Sequence, residues 1–170
     1  SKKSNELMAH TYSHLYSLPS TGLRFFTVYG PWGRPDMAYF KFSKLITENK
    51  KIEIYNKGNH SRSFTYIDDI IDNLLLLEKK LNKVNFLKNS VFNLGNPKTV
   101  TLNKFVKLIE TSLSKKSKKK FINKQMGDVL KTKSNNILEN RLFNFKYKTN
   151  LNEGIKKFTN WFLNEYEKKH

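Results

Sequence analysis

Two arginines stand out for chemistry in a chain that is otherwise rich in lysine: Arg34, within "GRPDM", and Arg62, within "SRSF". Both stand in loop or strand-edge surroundings. A guanidinium presents a planar fork of donors that matches phosphate or carboxylate oxygens through paired, charge-assisted hydrogen bonds. The pair therefore suits a ligand with more than one anionic group. Arg34 belongs to "TVYGPWGRPDM", residues 27–37, which gathers Gly30, Pro31, Trp32, Gly33 and Pro35 from a chain with only seven glycines, four prolines and two tryptophans. Other chemistries are poorly represented. Cysteine is absent, which excludes disulfides and thiolate metal sites. His10 and His14 are four apart, but none of the four histidines has a metal-ligand spacing with carboxylates. No metal site is expected. Neither G-x-G-x-x-G nor a Walker loop occurs, so a nucleotide-binding reading would lack its phosphate cradle.

The elements that must position these groups follow from periodicity. Residues 3–17 carry Leu7, Met8, Tyr12, Leu15 and Tyr16 at helical spacing. "LPSTG" breaks that helix, and "LRFFTVY" then has strand length and composition. Residues 36–49 read as a helix with Asp36 as N-cap. "KIEIYNKG" alternates as a strand, and "SRSFTYI" is another strand. "DDIIDNLLLLEKKL" is a helix with acidic residues first and lysines last, as the helix dipole favours. "SVFNLGN" is a short strand. Thr101 starts a helix with Leu102, Phe105, Val106, Ile109 and Leu113 on one face. "SKKSKKK", residues 114–120, reads as a solvated basic turn, and the segment after it as irregular. Residues 135–142 and 151–168 are expected helices, the last with Ile155, Phe158, Phe162 and Tyr166 on one face. Strands alternating with helices give an α/β class with some parallel pairing.

The chain has 170 residues and a net charge of +18, enough for one ordinary domain or a piece of a larger one. The charge admits a polyanion partner and, with the aromatics, a basic nucleic-acid-binding module as the reading from another class. Against that, the excess is almost all lysine, scattered along the chain, with only four arginines. Lysine and asparagine with little arginine also fit the bias of an AT-rich genome. No apolar run approaches the roughly 20 residues of a membrane helix, and the polar first residues are not expected to be a signal peptide.

"KKSNELMAHTYSHLYSLPSTGLRFFTVYGPWGRPDMAYFKF" resembles the extended short-chain dehydrogenase/reductase family, the NAD-dependent epimerases and dehydratases. Within it the uronic-acid branch, typified by UDP-glucuronate 4-epimerases, is most similar. "IEIYNKGNHSRSFTYIDDI", "VFNLGNPKTVTL", "GDVLKT" and "GIKKFTNWF" agree in order and spacing. The resemblance spans nearly the whole chain and implies its C-terminal half-enzyme character: the end of a Rossmann-type NAD-binding domain (residues 1–30) and a small mixed α/β sugar-nucleotide-binding domain (31–170), with a return to the first domain at about 62–95. It implies NAD as cofactor, a UDP-sugar as substrate, a homodimer in the complete enzyme through a four-helix bundle that includes residues 3–17, no nucleic-acid or membrane partner, and a cytoplasmic setting. The implied reaction takes a hydride from C4 of the sugar and returns it to the other face, interconverting UDP-glucuronate and UDP-galacturonate. A UDP-glucose 4-epimerase, a 4,6-dehydratase and a decarboxylase remain as alternatives within the family.

The resemblance assigns roles residue by residue. Lys2 matches the catalytic lysine that lowers the pKa of a base tyrosine and bonds the nicotinamide ribose; that tyrosine would precede Ser1. The 170 residues alone are therefore expected to be inactive, marginally folded and prone to aggregate. Phe25 lies against the nicotinamide. On the substrate side, Thr27 matches a residue that donates to the sugar carboxylate, where relatives acting on neutral hexoses carry Asn. Arg34 matches an arginine of the uronic-acid epimerases, Arg62 the diphosphate-binding arginine, Tyr55 the residue beside the uracil, and Asp128 the acceptor of the ribose hydroxyls. Three positions depart from the family pattern: Ser63 in place of the Asp that follows the arginine, Met126 in place of Pro, and Asn135 in place of Asp. The first suggests an Arg62 that is less firmly held.

Overall fold

A computed structural model of the chain describes residues 1–81 and 89–168. Its elements are α1 (Lys2–Tyr16), β1 (Ser20–Phe25), β2 (Thr27–Tyr29), α2 (Ala38–Thr47), β3 (Lys51–Tyr55), β4 (Ser61–Tyr66), α3 (Ile67–Leu81), β5 (Asn89–Leu94), β6 (Thr99–Thr101), α4 (Leu102–Leu113), β7 (Lys118–Ile122), α5 (Ile137–Phe143) and α6 (Leu151–Trp161). They form three small sheets. β1 pairs with β5 in parallel. β4 pairs with β2 in parallel and with β6 in antiparallel. β3 pairs with β7 in parallel.

Two apolar cores sit between these layers. The larger joins α2, α4 and α6 to β3 and β4, with Phe40, Phe105, Ile109, Phe158 and Phe162 buried in it. Aromatic rings meet edge to face there, as between Phe40 and Phe162 at 5.4 Å, a geometry that the ring quadrupoles favour. The smaller core packs Ile70 and Leu77 of α3 against Phe92 and Leu94 of β5 and Phe143 of α5. The one-face spacing read for α4 and α6 is thus buried as expected, and the helix read at α3 buries Ile70 and Leu77.

Several expectations are corrected. The run "LRFFTVY" is two strands in two sheets, and the first begins at Ser20, inside the stretch read as a break. The change of partner falls at Phe26, whose N–H still donates to Leu94 O at 3.4 Å before the chain turns to β4. Asp36 does not cap α2; Met37 holds that position, because the Asp36 carboxylate is taken by Arg34. Residues 118–122 are strand β7 rather than a solvated turn and irregular chain: the backbone edge of β3 pairs them, and Lys119 and Lys120 lie 3.3 and 3.7 Å from Glu110 and Glu53. The last helix leaves α-geometry at Trp161 and closes in a π-turn at Phe162–Tyr166. The apolar stripe of α1 is not buried: Leu7, Met8, Tyr12, Leu15 and Tyr16 are all exposed.

The packing between α6 and β2 leaves no room at Gly154, where a Cβ would meet the Tyr29 hydroxyl at 2.1 Å. Tyr29 is itself wedged among Tyr39, Phe64 and Tyr66. Alanine gains about 1 kcal/mol over glycine in helix propensity, but overpacking a fixed ring costs about 1–3 kcal/mol, and so close a contact belongs at the top of that range. Gly154→Ala should lower stability by about 2 kcal/mol, read as a lower urea midpoint, and Tyr29→Phe in the same chain should restore part of the loss.

Candidate functional site

Strand β4 builds the floor of the main pocket. Its alternation, begun one residue early, sends His60, Arg62 and Phe64 to one face and Ser63 and Thr65 to the other. The pocket face opens into a cavity of about 340 Å³, to which Thr27, Tyr55, Asp128, Asp36, Lys41 and Glu53 also contribute. Phe64 is fixed from behind by Phe105 of α4, the two rings stacked at 4.0 Å and 4°. The opposite face is tied down by hydrogen bonds: Ser63 Oγ accepts from Ser134 N at 3.2 Å and Thr65 Oγ1 from Asn96 N at 2.8 Å.

Asp128 reaches the pocket from a turn in which its N–H donates to Gln125 O at 3.3 Å and Gly127 takes a φ of +80°, a conformation that suits glycine. The chain just beyond is clamped to β4, with Ser61 N donating to Leu130 O at 2.9 Å and Thr132 N to Ser61 O at 3.1 Å. The carboxylate therefore sits between two β4 side chains. Arg62 Nη2 donates to Oδ1 at 3.0 Å, and His60 Nε2 lies 3.2 Å from Oδ2. That second approach is outside hydrogen-bonding geometry, so Nε2 is buried without a hydrogen bond. Tyr55 ends β3 just ahead of a 3₁₀ turn over residues 56–58, which Asn103 Nδ2 ties down by donating to Lys57 O at 3.0 Å.

Four of the five residues expected on the substrate side, Thr27, Tyr55, Arg62 and Asp128, thus share one cavity. Arg34 does not line it. Its exposed guanidinium is forked onto Asp36, Nε to Oδ1 at 3.0 Å, and holds that carboxyl below its ordinary pKa. Asp36 lines the cavity, which leaves Arg34 at its margin. Lys2 and Phe25 line a separate cleft of about 550 Å³ along α1, β1 and β5. Beside them Glu6 accepts from Arg24 Nε at 2.7 Å and from Lys3 Nζ at 2.9 Å, which pushes its pKa down to about 2, with Arg24 the larger cause. Ser63 does not loosen Arg62. It occupies the other face of the strand, and Asp128 holds the guanidinium. His60 was set aside in the sequence for lack of metal-ligand spacing; the signal that finds it is the i, i+2 alternation of "HSRSF". Among the described residues no group of three or more His, Asp or Glu could hold a metal ion.

Residues 1–95, more than half of the chain, match the model of the NAD dependent epimerase/dehydratase family. The chain belongs to this family. It is 53% identical over 162 residues to an uncharacterized protein of Methanocaldococcus jannaschii, covering 95% of this chain and 48% of that protein. It is 46% identical over 177 residues to UDP-glucuronate 4-epimerase 4 of Arabidopsis thaliana, covering 97% and 40%. Its fold superposes on the UDP-glucuronic acid 4-epimerase of Bacillus cereus, solved with UDP-glucuronic acid and NAD, with a TM-score of 0.84 at 27% identity over 94% of this chain and 50% of that one. The chain spans about half the length of these relatives. The α/β architecture expected from the sequence is that of Rossmann-type family members.

The Arg34–Asp36 pair and the Phe64 ring carry unequal weight in the fold. Arg34–Asp36 is exposed, and such pairs contribute about 0–1 kcal/mol. Phe64 joins the pocket floor to the core, and emptying a buried aromatic costs about 3–5 kcal/mol. Asp36→Ala should therefore shift the urea midpoint little, whereas Phe64→Ala should shift it by a large fraction of the total stability.

Proposed function

We propose that this chain forms the sugar-nucleotide pocket of an NAD-dependent epimerase that interconverts UDP-glucuronate and UDP-galacturonate at C4. The observation that carries this reading is the meeting of Thr27, Tyr55, Arg62 and Asp128 in one cavity, since these come from four separate segments and offer four different chemistries. Arg62 takes the diphosphate through its fork of donors. Tyr55 faces the uracil, Asp128 accepts from the ribose hydroxyls, and Thr27 donates to the sugar carboxylate. Arg34 supplies a second cation at the margin once Asp36 releases it.

In the cleft that holds Lys2 and Phe25 together, these two residues would hold the nicotinamide end of the cofactor, Lys2 through the ribose and Phe25 through the ring. No glycine-rich phosphate cradle occurs in these 170 residues. When bound, NAD supplies the hydride acceptor and donor at C4. The ammonium of Lys2 would lower the pKa of a tyrosine base that takes the C4 hydroxyl proton. Because the chain spans about half the length of its relatives, turnover is tested with the other half of a relative supplied. The chain would divide into a dinucleotide-binding part (1–30, with returns at about 62–95) and a sugar-nucleotide part, the two packed together through both cores, as Tyr29 and Phe64 meet Phe105 and Phe158 in one and Phe92 meets Phe143 in the other. The exposed apolar stripe of α1 favours a homodimer in the complete enzyme.

The test is reconstitution with the N-terminal half of a relative and NAD, followed by chromatography of the UDP-sugars. UDP-galacturonate should appear from UDP-glucuronate; turnover of UDP-glucose alone would refute the substrate. A charge-assisted hydrogen bond contributes about 1.5–3 kcal/mol, so Arg62→Ala should weaken UDP binding by roughly 10- to 150-fold.

A further inference from the structure

The His60 imidazole is 6% exposed, lines the cavity, and carries an Nε2 that lacks a hydrogen bond while lying 3.2 Å from Asp128 Oδ2. A buried polar nitrogen left unmade is costly, and buried polar groups are nearly always satisfied. Its persistence here indicates a state in which the bond is completed. The His60 backbone is held in place and its ring is buried. Its carbonyl is fixed by Leu102 N at 2.9 Å, and Ser61 directly after it pairs with β6 on one side and with Lys131 on the other. Asp128 can move. It stands on a glycine-bearing turn, its side chain is about a third exposed, and only its Oδ1 is held, by Arg62.

We propose that His60 is the positioning residue for Asp128 in the nucleotide-bound state. The inference rests on the pocket reading above, in which Arg62 turns to the diphosphate. Losing Arg62, Asp128 would be left without a hydrogen bond in a cavity that Asp36, Glu53 and Lys41 also line. A small rotation brings Oδ2 into line with His60 Nε2–H. The carboxylate is then anchored through one oxygen and presents the other to the ribose hydroxyls. His60 touches no reacting atom in this arrangement. It acts on the nucleoside through Asp128, and its effect is discrimination between ribose and 2′-deoxyribose.

The experiment is calorimetric titration of the full chain with UDP, with 2′-deoxy-UDP and with inorganic pyrophosphate, for the unaltered protein and for His60→Gln, His60→Met and Asp128→Asn. Glutamine can place an amide N–H where Nε2 stands, and methionine fills similar space without a donor. The unaltered protein should prefer UDP over its deoxy form by roughly tenfold, the loss of a hydrogen bond to a charged group. His60→Met should cut that preference to about twofold while pyrophosphate is still bound. His60→Gln should keep it, and Asp128→Asn should abolish it whether or not His60 is also changed. Pyrophosphate affinity doubles as the check that each variant is folded. A His60→Met protein that keeps the full preference overturns the inference. So does equal binding of UDP and deoxy-UDP by the unaltered protein, which leaves the diphosphate reading standing. Failure to bind UDP at all overturns the functional reading and this inference together.

Discussion

The register of β4 is the constraint on which the pocket and much of the packing depend. Within six residues this strand pairs with β2 through Phe64–Tyr66 and with β6 through Ser61–Ser63, and it receives the 130–132 segment at Ser61. Its two faces have unlike duties. Arg62 and Phe64 face the cavity and the Phe105 ring, whereas Ser63 and Thr65 anchor the loops at Ser134 and Asn96. A slip of one residue exchanges the faces. It would bury a guanidinium among loops and turn two small hydroxyls toward the cavity. No position of β4 can drift alone, because each serves both the ladder and one of the two faces.

Charge has a weaker hold on the fold than the net value of +18 suggests. Most ion pairs here are exposed, as Lys148–Asp72 and Arg34–Asp36 are, and pairs of that kind add little. Arg62–Asp128 differs in kind. Both side chains are half-buried, they stand 66 residues apart in sequence, and the pair bridges β4 to a segment with little regular structure. It orders the Asp128 turn over the pocket, where Met126 and Val129 on either side of that turn are exposed.

Helices were the most legible part of the sequence, because their apolar residues recur at the spacing that the core selects. Phe105, Val106 and Ile109 of α4 and Ile155, Phe158 and Phe162 toward the C-terminus are buried as that spacing requires. What was not legible depends on distant partners. Lys118–Lys120 have no strand-like alternation and become β7 only because β3 offers a backbone edge with acids beside it. The division of "LRFFTVY" at Phe26 follows from β5 and β4 lying on different sheets, which no local preference encodes. The stripe on α1 was read correctly as periodic, but periodicity does not say what covers a face. In the site, the family pattern pointed to Thr27, Tyr55, Arg62 and Asp128, and the structure gathers them. It could not show that Arg62 and Asp128 would hold each other, nor that His60 would complete the group.

That mutual hold has a consequence for which ligands the pocket can accept. With nothing bound, the strongest cation and the nearest anion of the cavity are already satisfied, so a newcomer must replace what it disrupts. An anion alone takes Arg62 and leaves Asp128, a partly buried carboxylate, with one oxygen unmet even when His60 holds the other, and that unmet demand subtracts from the gain. A hydroxyl pair alone finds Asp128 already occupied and offers a neutral donor in place of a charged one. Only a molecule that brings an anion and vicinal hydroxyls, spaced to reach both residues, leaves neither unpaired. A nucleoside diphosphate has that pattern, so under the proposed function the self-paired pocket would select for it by making each half of the recognition depend on the other.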